Sequence, residues 1–166
     1  MTDAEVTGFL AEPGHLVRLA TTDDEGAPLV VPIWFAYERG RMWFTPRERS
    51  AWRTYLERDP RVCLLIDESD GAMRKVVVNG VAECIYGLGH DDEWRDLYRR
   101  IACRYVPEAF ADAYLEDTSA EPRALFAVDV ARSHVTTWRM PVREGENPLA
   151  VWAPRYYHRA GGAGPG

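Results

Sequence analysis

Residues Met42–Leu65 read M-W-F-T-P-R-E-R-S-A-W-R-T-Y-L-E-R-D-P-R-V-C-L-L, and this stretch decides the fold class. It predicts a strand, a tight turn, a short helix and a second strand. Met42-Trp43-Phe44 is an aromatic-rich strand end. Thr45-Pro46 offers a helix cap followed by proline in the first turn, where its missing N–H costs nothing, and Glu48 completes a capping-box spacing. Ser50 is a second cap if the helix starts later. Ala51, Trp52, Tyr55 and Leu56 then recur on one helical face. Asp59-Pro60 stops the helix, because a residue before proline avoids the α region. Arg61–Ile66 follows as a buried-type strand.

The chemistry in this stretch surrounds the helix start. Arg47, Arg49 and Arg53 gather there with the hydroxyls of Thr45 and Ser50. A helix N-terminus presents unpaired N–H groups and the positive end of the dipole, so guanidinium groups beside it make a phosphate cradle. The bland reading is a capped surface helix with solvated arginines.

Working outward, Thr2 or Asp3 caps a first helix that runs through Ala11 to Pro13-Gly14. His15–Thr22 alternates as a strand, Asp23–Gly26 is a hairpin turn, and Pro28–Tyr37 is one long apolar strand. Pro32 inside it demands an edge or a bulge. Lys75–Tyr86 is another long strand, with Gly80 expected at a bulge. Acidic Asp91–Glu93 opens a helix carrying Trp94, Leu97, Tyr98 and Ile101 at helical spacing. Pro107 opens another, with Phe110, Tyr114 and Leu115 on one side. Ala124–Val130 and His134–Trp138 return to strand patterns. The order implies an α+β fold around an antiparallel barrel or tightly curved sheet. Residues 1–140 form the domain, and 141–166 a tail expected to pack in part, over Leu149–His158, and to be disordered at its Gly-rich end.

The chain has 166 residues, enough for one domain with a real core, and 28% charged residues with a formal net charge of −6. That acidity argues against general nucleic-acid binding. No apolar run is long enough to span a membrane, and the acidic start M-T-D-A-E-V lacks a signal-peptide pattern. Cys63, Cys84 and Cys103 are an odd set without C-x-x-C spacing, which suggests buried reduced thiols in a cytoplasmic protein.

The runs Leu19–Phe35 (L-A-T-T-D-D-E-G-A-P-L-V-V-P-I-W-F), Trp43–Thr45, Ser50–Ile66 and Val76–Glu83 (V-V-V-N-G-V-A-E), in that order, resemble the pyridoxamine 5'-phosphate oxidase-like split β-barrel family. They are closest in flavour to its actinobacterial flavin/deazaflavin oxidoreductases. The likeness covers roughly His15 to Glu83, with a looser echo at Ala124–Trp138. It implies an antiparallel six-stranded split barrel with peripheral helices, working as a homodimer. It implies FMN, or the deazaflavin coenzyme F-420, in a groove between subunits. By resemblance, Val31, Pro32, Ile33, Trp34 and Phe35 lie along the cofactor ring. Phe44, Thr45, Arg47, Arg49, Ser50, Trp52 and Arg53 fall in the segment that holds ribityl and phosphate, and Trp138 approaches from the partner subunit. One departure stands out: many members carry lysine where this chain has Trp52, in a pattern like S-x-K-x-x-N-L. Without that lysine, the phosphate must rely on Arg47, Arg49 or Arg53.

The resemblance implies an oxidoreductase acting on a small conjugated or aromatic compound, and no side chain stands out as its acid or base. The rival is a flavin- or haem-binding protein without turnover, or a barrel with a degenerate cofactor site. Some relatives bind haem, so His134 and His158 are axial candidates; His15, His90, His134 and His158 show no metal-ligand spacing. Trp34 fits either a ring-stacking role or the core, and Trp138-Arg139 either a flavin-facing pair or a strand end with a snorkelling arginine.

Overall fold

The structure, a computed structural model, describes residues 1–141 and 144–146. The expected tail segment Leu149–His158, with His158, lies outside the described residues. Among the described residues eight strands and four helices are seen, in the order α1 (Asp3–Ala11), β1 (Val17–Thr22), β2 (Pro28–Ile33), β3 (Ala36–Glu38), β4 (Arg41–Phe44), α2 (Ala51–Arg58), β5 (Arg61–Asp67), β6 (Lys75–Tyr86), α3 (Arg95–Cys103), α4 (Glu108–Asp117), β7 (Leu125–Asp129) and β8 (His134–Trp138). A 3-10 turn, Asp91–Trp94, leads into α3. All pairings are antiparallel, in the order β2-β1-β5-β6-β7-β4-β3, with β8 on β6. The α+β class holds, but the sheet has eight strands rather than six.

One of the two additional strands comes from a break in the long segment after Pro28. Phe35 turns inward, and its backbone is satisfied by a side chain instead of a ladder: the Phe35 N–H donates to the Tyr105 hydroxyl at 3.0 Å. That hydroxyl donates in turn to the His15 carbonyl at 2.8 Å. Trp34 stacks on the Tyr105 ring with centroids 5.1 Å apart. One phenol from α3's C-terminal end thus splits β2 from β3 and pins the helical insert to the sheet. Pro32 falls on an edge strand as its missing donor requires.

β6 organises the curl. One of its edges pairs with β5 over Lys75–Val81. The other pairs with β8 over Lys75–Asn79 and with β7 from Ala82 onward. Gly80 sits at that switch and is not bulged: it pairs in register with Val62. The irregularity lies at Cys84/Tyr86 instead. Gly80 is required by close approach, since a Cβ there would stand 2.3 Å from Ser133 Oγ and 3.0 Å from Val128 Cγ1.

Alternate residues of the strands bury one face. Leu19, Leu64, Val78, Val128, Met42 and Phe44 join Phe9 and Leu10 of α1 in the main core. A second cluster, including Trp94, Tyr98, Ala111, Leu115 and Leu125, holds α3 and α4 against the sheet. On α4 the buried positions are Ala111 and Leu115, so Phe110, about 100° around the helix from Ala111, is 69% exposed and not on the packed face. Cys63 falls on the outward face of β5 and is half-buried, while Cys84 pairs in register with buried Phe126 near the end of β6 yet is exposed, so the expected burial of both thiols is not seen.

Candidate functional site

The loop before α2 does not form the Thr45–Glu48 capping box. Residues 46–48 instead lie against 122–124: Ala124 N–H donates to Pro46 O, Glu48 N–H donates to Pro122 O, and Arg47 bridges Arg123. With those backbone groups used, α2 starts only at Ala51. Ser50 takes the cap position but makes no side-chain cap bond. The Arg53 N–H folds back to Ser50 O at 2.9 Å. The leading N–H groups of α2 are therefore left without a side-chain acceptor from the cap residue, at the positive end of the dipole.

Arg47 and Arg49 come together in the loop that precedes this helix. Both are held by one carboxylate: Arg47 Nη1 donates to Glu121 Oε2 at 2.6 Å, and Arg49 Nη2 donates to Glu121 Oε1. Arg47 Nη2 also donates to the Tyr114 hydroxyl at 2.8 Å. The same hydroxyl accepts from Arg123 Nη2 at 3.1 Å. Burial alone would raise the Tyr114 phenol, but the neighbouring Tyr98 hydroxyl and the guanidiniums of Arg47 and Arg123 outweigh it and hold Tyr114 below its ordinary value. Arg123 is 5% exposed, lies 4.6 Å over the Tyr98 ring, and has no hydrogen-bond partner at Nε among the described residues. The Arg49 side chain, by contrast, is 76% exposed.

The other expected site residues divide. Arg53 turns away, donating to Glu48 O and pairing with Glu57. Trp52 is half-buried against the core, 6.2 Å from the Phe44 ring. Phe44 is fully buried and stacks on Phe126, so its side chain serves the core. Thr45 is half-buried in the loop. Val31 and Ile33 pack on the core from β2, while Pro32 points outward. β2 and β4 sit far apart in the strand order. α2 connects the two regions, because Arg58 at its end donates to Thr22 O in the β1–β2 hairpin. Trp34 is held by Tyr105 and, edge-on at 5.7 Å, by Tyr114. Trp138 ends β8 with the Lys75 ammonium 5.0 Å over its ring. Arg139 beside it pairs with Glu5 and Glu146. Sequence reading missed Glu121, Tyr114 and Arg123. They lie some 65 residues or more from Arg47 and carry no motif; only the E-P-R triplet at the insert's exit marks Glu121 and Arg123.

A second feature is the outward face of the sheet. Register puts Val30, Ala20, Cys63, Asn79 and His134 in one row across five strands. Val30 is 58% and Val81 53% exposed. A groove of about 750 Å³ opens on this face, lined by Ala20, Cys63 and Val81 and by the polar residues Arg61, Glu83 and Arg132 among others.

Residues 2–138 match the family model described as pyridoxamine 5'-phosphate oxidase. The chain belongs to the pyridoxamine 5'-phosphate oxidase family. Solved structures similar to this member include an F420 reductase (20% identity, 76% of this chain and 93% of that one, TM-score 0.56). A FAD-binding protein from Mesorhizobium loti is also similar (22%, 82% and 94%, 0.59). So is the haem storage protein of Vibrio cholerae (17%, 81% and 92%, 0.61). At these identities the likeness supports the shared fold. No curated protein matches the chain by sequence. No helix among the described residues is long and apolar enough to cross a membrane.

One further cluster was absent from the sequence reading. Glu12, His15 and Glu68 bring potential ligand atoms within 4.8 Å of one another. Arg74 spans it, donating to both carboxylates at 2.7–2.9 Å, so these acids serve an ion-pair clamp between α1 and the β5–β6 turn.

Proposed function

We propose that this chain binds a phosphate-bearing flavin or deazaflavin and uses it as an oxidoreductase on a small conjugated or aromatic compound. FMN is the first candidate and coenzyme F-420 the alternative. The observation that carries the reading is the uncapped start of α2 together with two arginines in the preceding loop that are bridged by one carboxylate. A phosphate presents oxygens on the same scale as a carboxylate, and charge-assisted bonds from guanidinium and helix N–H groups suit it. Similarity to an F420 reductase and a FAD-binding protein supports the same class.

The bound cofactor would supply hydride chemistry. In this reading Arg47 and Arg49 meet the phosphate charge. Tyr114 keeps Arg47 oriented from behind, and Trp52 fills with packing the place where relatives carry lysine. A homodimer paired through the outward sheet face would cover Val30 and Val81 and enclose the groove beside them. A second reading, a flavin- or haem-binding protein without turnover, is favoured by Trp52 being committed to the core and by the likeness to a haem storage protein.

The absorption spectrum of purified protein separates flavin, deazaflavin and haem. The enzyme reading is then tested anaerobically: chemically reduced cofactor on the protein is mixed with a quinone or nitroaromatic acceptor. Reoxidation well above the free-cofactor rate is expected. Binding with no acceleration for either acceptor class defeats the enzyme reading and leaves the binding protein.

A further inference from the structure

Glu121 holds Arg47 and Arg49 the way a ligand would. Its two oxygens each take one guanidinium, bridging side chains that share no other partner among the described residues. The segment that carries it is local: Glu121 follows α4 in a turn closed by its own N–H on Thr118 O at 3.0 Å, with Ser119 and Ala120 exposed. Immediately after it, Pro122 O and the Ala124 N–H tie the chain to the cradle loop, and Arg123 is buried. Glu121 can therefore rotate away without disturbing the core beneath.

Withdrawal of Glu121 leaves the two arginines in different states. Arg47 keeps its bond to Tyr114, so it stays anchored beside the loop before α2. Arg49 has no other side-chain partner among the described residues and becomes available. Among the described residues Arg123 adds a buried positive charge with no carboxylate ion pair and an unpartnered Nε, joined to Arg47 through Tyr114. The cluster thus carries three guanidiniums against the shared Glu121 carboxylate and Asp91, which accepts the Arg123 backbone N–H at 2.9 Å, and an incoming phosphate would offset the remaining positive charge.

Resting on the phosphate reading of this loop, we infer that Glu121 is an internal phosphate mimic: it closes the cradle when no cofactor is bound and must be displaced for binding. Its carboxylate competes for Arg47 and Arg49 and repels the phosphate; it does not help to hold it. The ion pairs are partly exposed, so displacement costs a modest factor.

The test is equilibrium titration with FMN and, separately, inorganic phosphate. It uses the full chain, Glu121→Gln, Arg49→Ala and the double variant, with melting temperature recorded for each. Glu121→Gln is expected to bind both probes about tenfold more tightly, and the gain is expected to vanish in the Arg49→Ala background. Glu121→Asp, which keeps the charge on a shorter stem, is expected to fall between and serves if the Gln variant folds poorly. Unchanged or weaker binding in Glu121→Gln, with Arg49→Ala still weakened, overturns the mimic and leaves the phosphate site standing. No effect of either substitution overturns both.

Discussion

Gly80→Ala tests the architecture that creates the outward groove. The new methyl would sit 2.3 Å from Ser133 Oγ, 3.2 Å from Ser133 Cβ and 3.0 Å from Val128 Cγ1. Ser133 can rotate, but its hydroxyl donates to Asp129 O at 2.7 Å, and losing that bond costs about 1 kcal/mol. Val128 is fully buried and cannot withdraw freely, which adds an overpacking cost of about 1–3 kcal/mol. Reduced chain entropy in the unfolded state returns about 0.4–1 kcal/mol. The net expectation is a loss of about 2 kcal/mol, or roughly 4–8 °C in melting temperature for a chain of this size. Denaturant unfolding should be run in wild-type and Ser133→Ala backgrounds. Removing Oγ takes away the closest clash, so the Gly80→Ala penalty should fall by about half there. A penalty below about 0.5 kcal/mol, or equal penalties in both backgrounds, would refute the close-approach argument.

Three further perturbations address other parts of the structure. Arg74→Met removes the clamp on Glu12 and Glu68 and should cost about 1–3 kcal/mol at neutral pH. Hydrogen bonds from Arg74 lower both carboxylates, against burial, so their contribution is present above the ordinary value of 4.5 and is lost as pH falls through the folded values. The gap between wild type and variant should narrow on acidification, and a gap that is constant with pH counts against the clamp. Tyr105→Phe strands the Phe35 N–H and frees the β2–β3 break, with an expected loss of about 1–3 kcal/mol by calorimetry; an unchanged melting curve would mean the hydroxyl does not hold that break. Val30→Lys with Val81→Lys places charges on the outward face and should convert a sedimenting dimer to monomer, while a dimer that survives both must pair elsewhere.

The sequence revealed most about segments whose signal is local. The alternation in β1, β5 and β6 and the Thr2 cap of α1 needed only neighbours in the chain. Misreadings arose where a distant group took over a local role. Thr45 and Glu48 have capping-box spacing, yet Pro122 O claims the Glu48 N–H and pushes the helix start to Ala51. Pro28–Tyr37 has unbroken apolar character, yet Tyr105 supplies the partners that let the strand break at Trp34-Phe35. Gly80 looks like a bulge, and only the approach of Ser133 explains it. The site shows the same division. Arg47 and Arg49 are visible beside the helix, but Glu121 and Tyr114, which decide what those arginines do, come from the far end of the helical insert.

The most direct test of the central claim is titration of FMN and coenzyme F-420 against wild type, Arg47→Ala and Arg49→Ala. Each lost charge-assisted contact is worth about 1.5–3 kcal/mol, so the preferred cofactor should bind roughly 10- to 100-fold more weakly to each variant. Equal affinity of all three proteins for both cofactors would contradict the assignment of the phosphate to the loop before α2.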